Sequence, residues 1–181
     1  MCTSLSNLTM EKVLSSKIGP AIILVSLAAL SIMGRVWMAE IPNVQPSTVL
    51  IIIASLLWGA RYGLAVAVAT VLGSNLFLGH GPWTYMQIVA WGSIALFAGL
   101  LHRRYKNIPF FVLASLAALT GYLYGLIISL PMLAGGLTAF VLYYKFGILF
   151  DGFHAAGNLA FFLLLAKPLL RLLDQQEERA A

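Results

Sequence analysis

The stretch from Thr48 to Leu78 reads TVLIIIASLLWGARYGLAVAVATVLGSNLFL, and the number of helices it makes decides the fold. Read without a break, it is one apolar span with Arg61 stranded near mid-membrane, where a base costs about 2.5–3.5 kcal/mol on an insertion scale. Read as broken at Trp58-Gly59-Ala60-Arg61-Tyr62-Gly63, it is two runs, Thr48 to Leu57 and Leu64 to Leu78, with Arg61 in a turn that water reaches. The other bases choose between these readings, because Lys and Arg collect in the cytoplasmic loops of membrane proteins. The broken reading puts Lys12, Lys17, Arg61, Arg103, Arg104, Lys106, Lys167, Arg171 and Arg179 on one side and only Arg35 and Lys145 on the other. The unbroken reading gives a weaker asymmetry.

Working outward, further apolar runs cover Ile18 to Met33, Met86 to Leu101, Phe110 to Leu130 and Phe153 to Leu173. A stretch from Met132 to Tyr144 contains Gly135 and Gly136 and either extends the fifth helix or forms a re-entrant piece. The expected fold is an all-α integral membrane protein of six transmembrane helices with both termini cytoplasmic. Residues 1–17 are then an N-terminal leader, 18–173 the transmembrane domain and 174–181 a C-terminal tail. Composition agrees: the 181 residues are 61% hydrophobic and 9% charged, against roughly 45–50% and about 25% in soluble domains. No cleavable signal is evident, since the first apolar run has no small-residue cleavage site before Arg35.

Several function classes fall away at this point. The net charge of +5 does not indicate nucleic acid, because the bases lie between apolar runs rather than in one stripe on a soluble fold. The lone cysteine, Cys2, excludes a disulfide framework. There is no G-x-x-x-x-G-K-[ST] loop, no H-E-x-x-H and no G-x-S-x-G, and no nucleophile stands next to a base. The chain reads as a non-enzyme with no catalytic residues and no metal site, since one Asp and one His do not close a coordination shell.

The six-span reading makes the two faces chemically unlike. The inner face carries charge. The outer face carries neutral polar and aromatic groups: Asn43 and Gln45 after the first span, then Asn75, His80, Trp83, Thr84, Tyr85 and Gln87 around the third loop. Tyr143, Tyr144, Asp151, His154 and Asn158 surround the fifth. Small-molecule sites are mostly apolar with a few placed polar groups, so a binding site is expected to open outward. Trp83 and Tyr85 read equally well as interface anchors. Gln87 and Trp91, four apart, share a helix face and form either a site wall or a packing contact. Asp151 reads as an N-cap of the last span, and His154 and Asn158 as polar groups facing its interior side. Ala65, Ala69 and Gly73 form a small-residue ridge that packs another helix of this chain or docks a second protein.

Taken together, NVQPST (Asn43 to Thr48), WGARYG (Trp58 to Gly63), SNLFLGHGPWTYMQIVAWG (Ser74 to Gly92) and DGFHAAGNLAFFLLLAKPLL (Asp151 to Leu170) resemble the substrate-binding S component of an energy-coupling factor (ECF) vitamin transporter. The resemblance covers nearly all of residues 18–173. It implies a multi-pass protein of the bacterial plasma membrane that captures a vitamin from outside. Its partners would be a transmembrane coupling subunit and two ABC ATPases, which bind the ATP and Mg; this chain would hold no cofactor. The candidate substrate-binding residues are those that the outward face offers: Asn43, Gln45, Asn75, His80, Trp83, Tyr85, Gln87, Trp91, Tyr143, Tyr144, His154 and Asn158. The Ala-x-x-x-Ala patch that many members carry in the first span is absent: Val25 follows Ala21 at that spacing. The ridge of Ala65, Ala69 and Gly73 is therefore the candidate for partner docking. The GPWT block and the HAAGN segment most resemble members linked to cobalamin or a corrinoid precursor, with riboflavin and a queuosine precursor as alternatives. The competing class is a small intramembrane enzyme using Asp151 and His154 as an acid/base pair.

Overall fold

The computed structural model describes residues 19–171, so the leader 1–17 and the tail 174–181 lie outside the described residues. The described chain is helical, with no strand. Its helices are α1 (Gly19–Trp37), α2 (Ser47–Trp58), α3 (Ala60–Leu78), α4 (Pro82–Leu100), α5 (Phe110–Ser129) and α6 (Leu137–Arg171). Short 3₁₀ turns at Tyr105–Asn107 and Leu130–Gly135 flank α5, and α6 contains a π-helical turn at Phe162–Ala166.

The stretch from Thr48 to Leu78 is two helices, and the break is a single residue. Gly59 has φ of 90°, a conformation that costs glycine little and any other residue considerably. It lets α2 stop at Trp58 and α3 start at Ala60. Only 12 residues long, α2 is the centre of the bundle: it packs against each of the other five helices, and every residue from Ser47 to Leu57 is buried. A helix apolar on all sides belongs inside, which explains why VLIIIA shows no amphipathic period.

Around it the usual inside-outside order of a soluble protein is reversed. Val25, Leu30, Leu72, Leu76, Leu96, Phe111 and Leu119 are exposed, while Ser31, Thr70, Ser74, Asn75, Thr120, His154 and Asn158 are buried. Extended exposed apolar surface of this kind fits contact with lipid. Four helical segments are long and apolar enough to cross a membrane: Ala60–Leu78, Pro82–Leu100, Phe110–Gly135 and Leu137–Arg171; α1 and α2 are shorter apolar helices.

The two ends of the bundle differ in charge. At one end α2 meets α3, α4 meets α5, and α6 finishes. A Cβ on Gly99 there would lie 2.6 Å from the Ala60 nitrogen, and His102 Nδ1 lies 2.8 Å from the Leu56 carbonyl oxygen. The Lys167 ammonium sits 4.6 Å from the centre of the Phe110 ring. Arg61, Arg103, Arg104, Lys106, Lys167 and Arg171 all lie at this end, with no Asp or Glu among the described residues there. The opposite end holds Arg35, Lys145, Glu40 and Asp151. Lys12, Lys17 and Arg179 are outside the described residues.

The last helix corrects the sequence reading most. The expected span began at Phe153, with Asp151 as its N-cap and Lys145 in a loop; α6 instead begins at Leu137, immediately after Gly136 with φ of 94°. Asp151 and Lys145 are therefore helix-interior residues. Of the segment Met132 to Tyr144, the first part prolongs α5 as a 3₁₀ turn, one of the two alternatives, while the rest opens α6 and is not a re-entrant piece. At about 1.5 Å per residue, the 35 residues of α6 reach about 50 Å, beyond the roughly 30 Å of a bilayer's hydrocarbon core. With α5 and its 3₁₀ extension it forms a helical hairpin, close-packed where Gly121 meets Ala155. Residues 130–150 of its tip are largely exposed.

Candidate functional site

The hairpin tip, the N-terminus of α4 and the α1–α2 loop enclose a cavity at the end away from the basic cluster. Its larger lobe has a volume of about 480 Å³. Tyr124, Gly125, Ile128 and Ser129 of α5 form one wall, and Tyr143, Phe146, Gly147, Phe150 and Asp151 of α6 form another. Trp83 and Gln87 of α4 and Asn43 of the loop complete the lining. A second lobe of about 320 Å³ is lined by Arg35, Met38, Ala39, Ile41, Asn43, Gln45, Leu78, Gln87 and Tyr124. Asn43, Gln87 and Tyr124 line both, so the lobes adjoin across these three side chains.

Local backbone geometry sets the mouth. Asn43 has φ of 57°, a left-handed conformation in which Asn is enriched. From it Nδ2 donates to the Phe150 carbonyl oxygen at 3.2 Å, tying the α1–α2 loop to the hairpin. Gly125 is needed because a Cβ there would come within 2.0 Å of the Asp151 carboxylate. On α4, Thr84 Oγ1 accepts a hydrogen bond from the Gly81 amide at 3.2 Å, which helps fix the first turn that carries Trp83 and Gln87.

Behind the lining lies a buried polar frame. Asn75 Nδ2 donates to Thr84 Oγ1 at 3.0 Å and to Gln87 Oε1 at 2.9 Å. Arg35 Nη1 donates to Asn75 Oδ1 at 2.8 Å and to Ser74 Oγ, with its guanidinium 5.2 Å from the centre of the Trp91 ring. Trp91 Nε1 donates to Thr48 Oγ1 at 2.9 Å, and the same hydroxyl lies 2.8 Å from His154 Nε2. The Tyr124 ring packs against both, with centroids 5.1 Å from Trp91 and 5.0 Å from His154. Deeper still, Asn158 Nδ2 donates to the Ala117 carbonyl oxygen and to Thr120 Oγ1, each at 3.3 Å. Thr48, on the central helix, thus connects α2 to α4 and α6.

The twelve residues expected at the site divide into three groups. Asn43, Gln45, Trp83, Gln87 and Tyr143 line the cavity. Asn75, Trp91, His154 and Asn158 are buried in the frame that supports it. His80, Tyr85 and Tyr144 line neither lobe; Tyr85 is 75% exposed, the placement of an interface anchor, and Tyr144 stacks on Phe140 one turn away. The pairing of Gln87 with Trp91 on one face holds, with Gln87 at the cavity and Trp91 behind it. Asp151 and His154 share no hydrogen bond, and Asp151 Oδ2 and His154 Nδ1 are both buried without a partner among the described residues. No group of three or more His, Cys, Asp or Glu able to hold a metal ion occurs among the described residues.

Sequence reasoning missed several lining residues. Arg35 was placed in an outer loop as one of two stray bases, yet it ends α1 and turns into the bundle. Tyr124 lies within an apolar run, where an aromatic reads as core, and Phe146 and Phe150 fall between two runs, beside Lys145 and Asp151. Of the docking ridge, Ala65 is exposed and Ala69 half-buried, but a Cβ on Gly73 would lie 2.5 Å from Ile32 Cδ1. That end of the ridge is occupied by α1. Comparison of the chain with protein-family models, curated proteins and solved structures returns no match.

Proposed function

We propose that the chain is the substrate-binding component of an ECF-type importer. In this reading it crosses the membrane six times, with the basic end and both termini in the cytoplasm, and takes up a vitamin or vitamin precursor from outside. The observation that carries the reading is the two-lobed cavity, lined by aromatic and amide side chains, at the end of the bundle opposite the six clustered bases. The charge asymmetry supports this orientation, because cytoplasmic ends carry the excess of Lys and Arg. Absence of an ATP-binding motif from the sequence fits a subunit whose energy comes from a coupling subunit and two ABC ATPases with their ATP and Mg.

The larger lobe falls within the roughly 300–1,000 Å³ typical of sites for drug-sized ligands. That favours a compact ligand of the size of riboflavin or a queuosine precursor over cobalamin, which would need the hairpin tip to part from α4. Uptake of a panel of radiolabelled vitamins, in cells with and without the ATPase module, tests the assignment. We expect uptake of one member that disappears with the module; uptake indifferent to the module's loss would count against the importer reading.

A further inference from the structure

We infer that the ligand is dipolar, presenting an anionic group to Arg35 in one lobe and a cationic, hydrogen-bond-donating group to Asp151 in the other. The inference rests on the reading of this cavity as a ligand site and names the chemical class that the site selects. Among the described residues, Arg35 and Asp151 are the only ionisable groups of opposite formal charge on the cavity wall, one in each lobe. Neither has an ion-pair partner among the described residues. Arg35 spends Nη1 on Ser74 and Asn75, and a guanidinium carries five N–H donors, so its remaining donors are left for the second lobe. Asp151 is 5% exposed and makes no hydrogen bond within the described protein, and its Oδ2 is a buried acceptor with no partner.

A buried carboxylate without a donor is costly, which makes Asp151 a functional-site candidate. The sequence could have removed the cost by bringing the two charges together. Instead Gln87 and Tyr124 stand between the lobes, and Gly125 leaves space that holds the carboxylate against α5. Aromatic faces around the Asp151 lobe, from Trp83, Tyr143, Phe146 and Phe150, suit a cation or a flat ring. On the Arg35 side, Asn43 and Gln45 add neutral amides suited to an anion's oxygens. Lys145 and Glu40 are exposed and line neither lobe.

The test uses the full chain in detergent and follows thermal stability and titration calorimetry. The probes are water-soluble vitamins, riboflavin serving as the uncharged member, together with tryptophan, tryptophan methyl ester and N-acetyltryptophan as zwitterion, cation and anion of one ring system. We expect a zwitterionic member to bind at least tenfold more tightly than its singly charged forms, the size of one or two charge-assisted hydrogen bonds. Arg35→Gln should abolish discrimination against forms lacking the anion, Asp151→Asn discrimination against forms lacking the cation, and Arg35→Lys should keep both. Circular dichroism of each variant confirms its helix content. Tight binding of riboflavin or another uncharged vitamin, unmoved by Arg35→Gln and Asp151→Asn, would overturn the dipolar assignment and leave the binding function standing. No stabilisation of folded protein by any probe would overturn both.

Discussion

Thr48 is the residue on which the buried frame turns. Its hydroxyl accepts from Trp91 Nε1 and bonds His154 Nε2, joining the central helix to α4 and α6 in a region that water does not reach. Replacing it with Val keeps the shape and strips both rings of their partner. An unmet buried donor or acceptor costs about 1–3 kcal/mol in soluble proteins, and side-chain bonds within membranes average somewhat less. We therefore expect Thr48→Val to lower stability by about 1–2 kcal/mol, seen as a reduced melting temperature in detergent; an unchanged value would mean that the bonds contribute nothing. Residue roles were only partly legible in the sequence. Gln87 and Trp91 could be read from their spacing, because a polar and an aromatic side chain four apart must share a face. Arg35 could not, since nothing local distinguishes a base that ends a helix facing water from one that turns inward to Ser74 and Asn75. Asp151 looked like a helix start because acids commonly are, and only the pairing of α5 with α6 reveals it as a wall of the cavity.

At the scale of elements, the α5–α6 hairpin carries the site, and its glycines separate packing from function. A Cβ on Gly121 would sit 2.5 Å from the Ala155 backbone nitrogen, so Gly121→Ala should force the helices apart and destabilise the protein by about 1–3 kcal/mol. A Cβ on Gly147 would meet nothing within 4 Å, and Gly147→Ala should be neutral or stabilising by about 0.5–1 kcal/mol through helix propensity. Unfolding of the two variants side by side checks the contrast; equal losses would show that the hairpin is not packed as described. The α2–α3 break was readable because Gly59 and Arg61 both oppose a continuous span, one by conformation and the other by charge. The start of α6 was not. Gly135 and Gly136 do mark the turn, but Lys145 and the polar residues after it imitate a loop, and a helix whose first three turns protrude past its neighbours shows no burial pattern to be read.

For the whole molecule, the proposed importer function needs the basic end to face the cytoplasm and the cavity to face outward. Single cysteines placed at Trp83 and at Arg103, in a chain with Cys2→Ser, should differ in intact cells: an impermeant thiol reagent labels position 83 and spares position 103 until the membrane is opened. Labelling of 103 alone would invert the topology. Composition and the distribution of bases made the all-helical, lipid-suited class legible, since both depend on sums over many residues. The cavity depends on how six helices meet, and no sum reports that. The most direct test of the central claim asks whether the larger lobe holds the ligand. Gly147 lines that lobe with open space before it, so Gly147→Trp fills the lobe without crowding the packed hairpin. Native mass spectrometry of the protein, extracted gently from cells grown in rich medium, should find one small organic molecule bound per wild-type chain and none on the equally stable Gly147→Trp variant. The same occupancy on both, or none on either, would contradict the account.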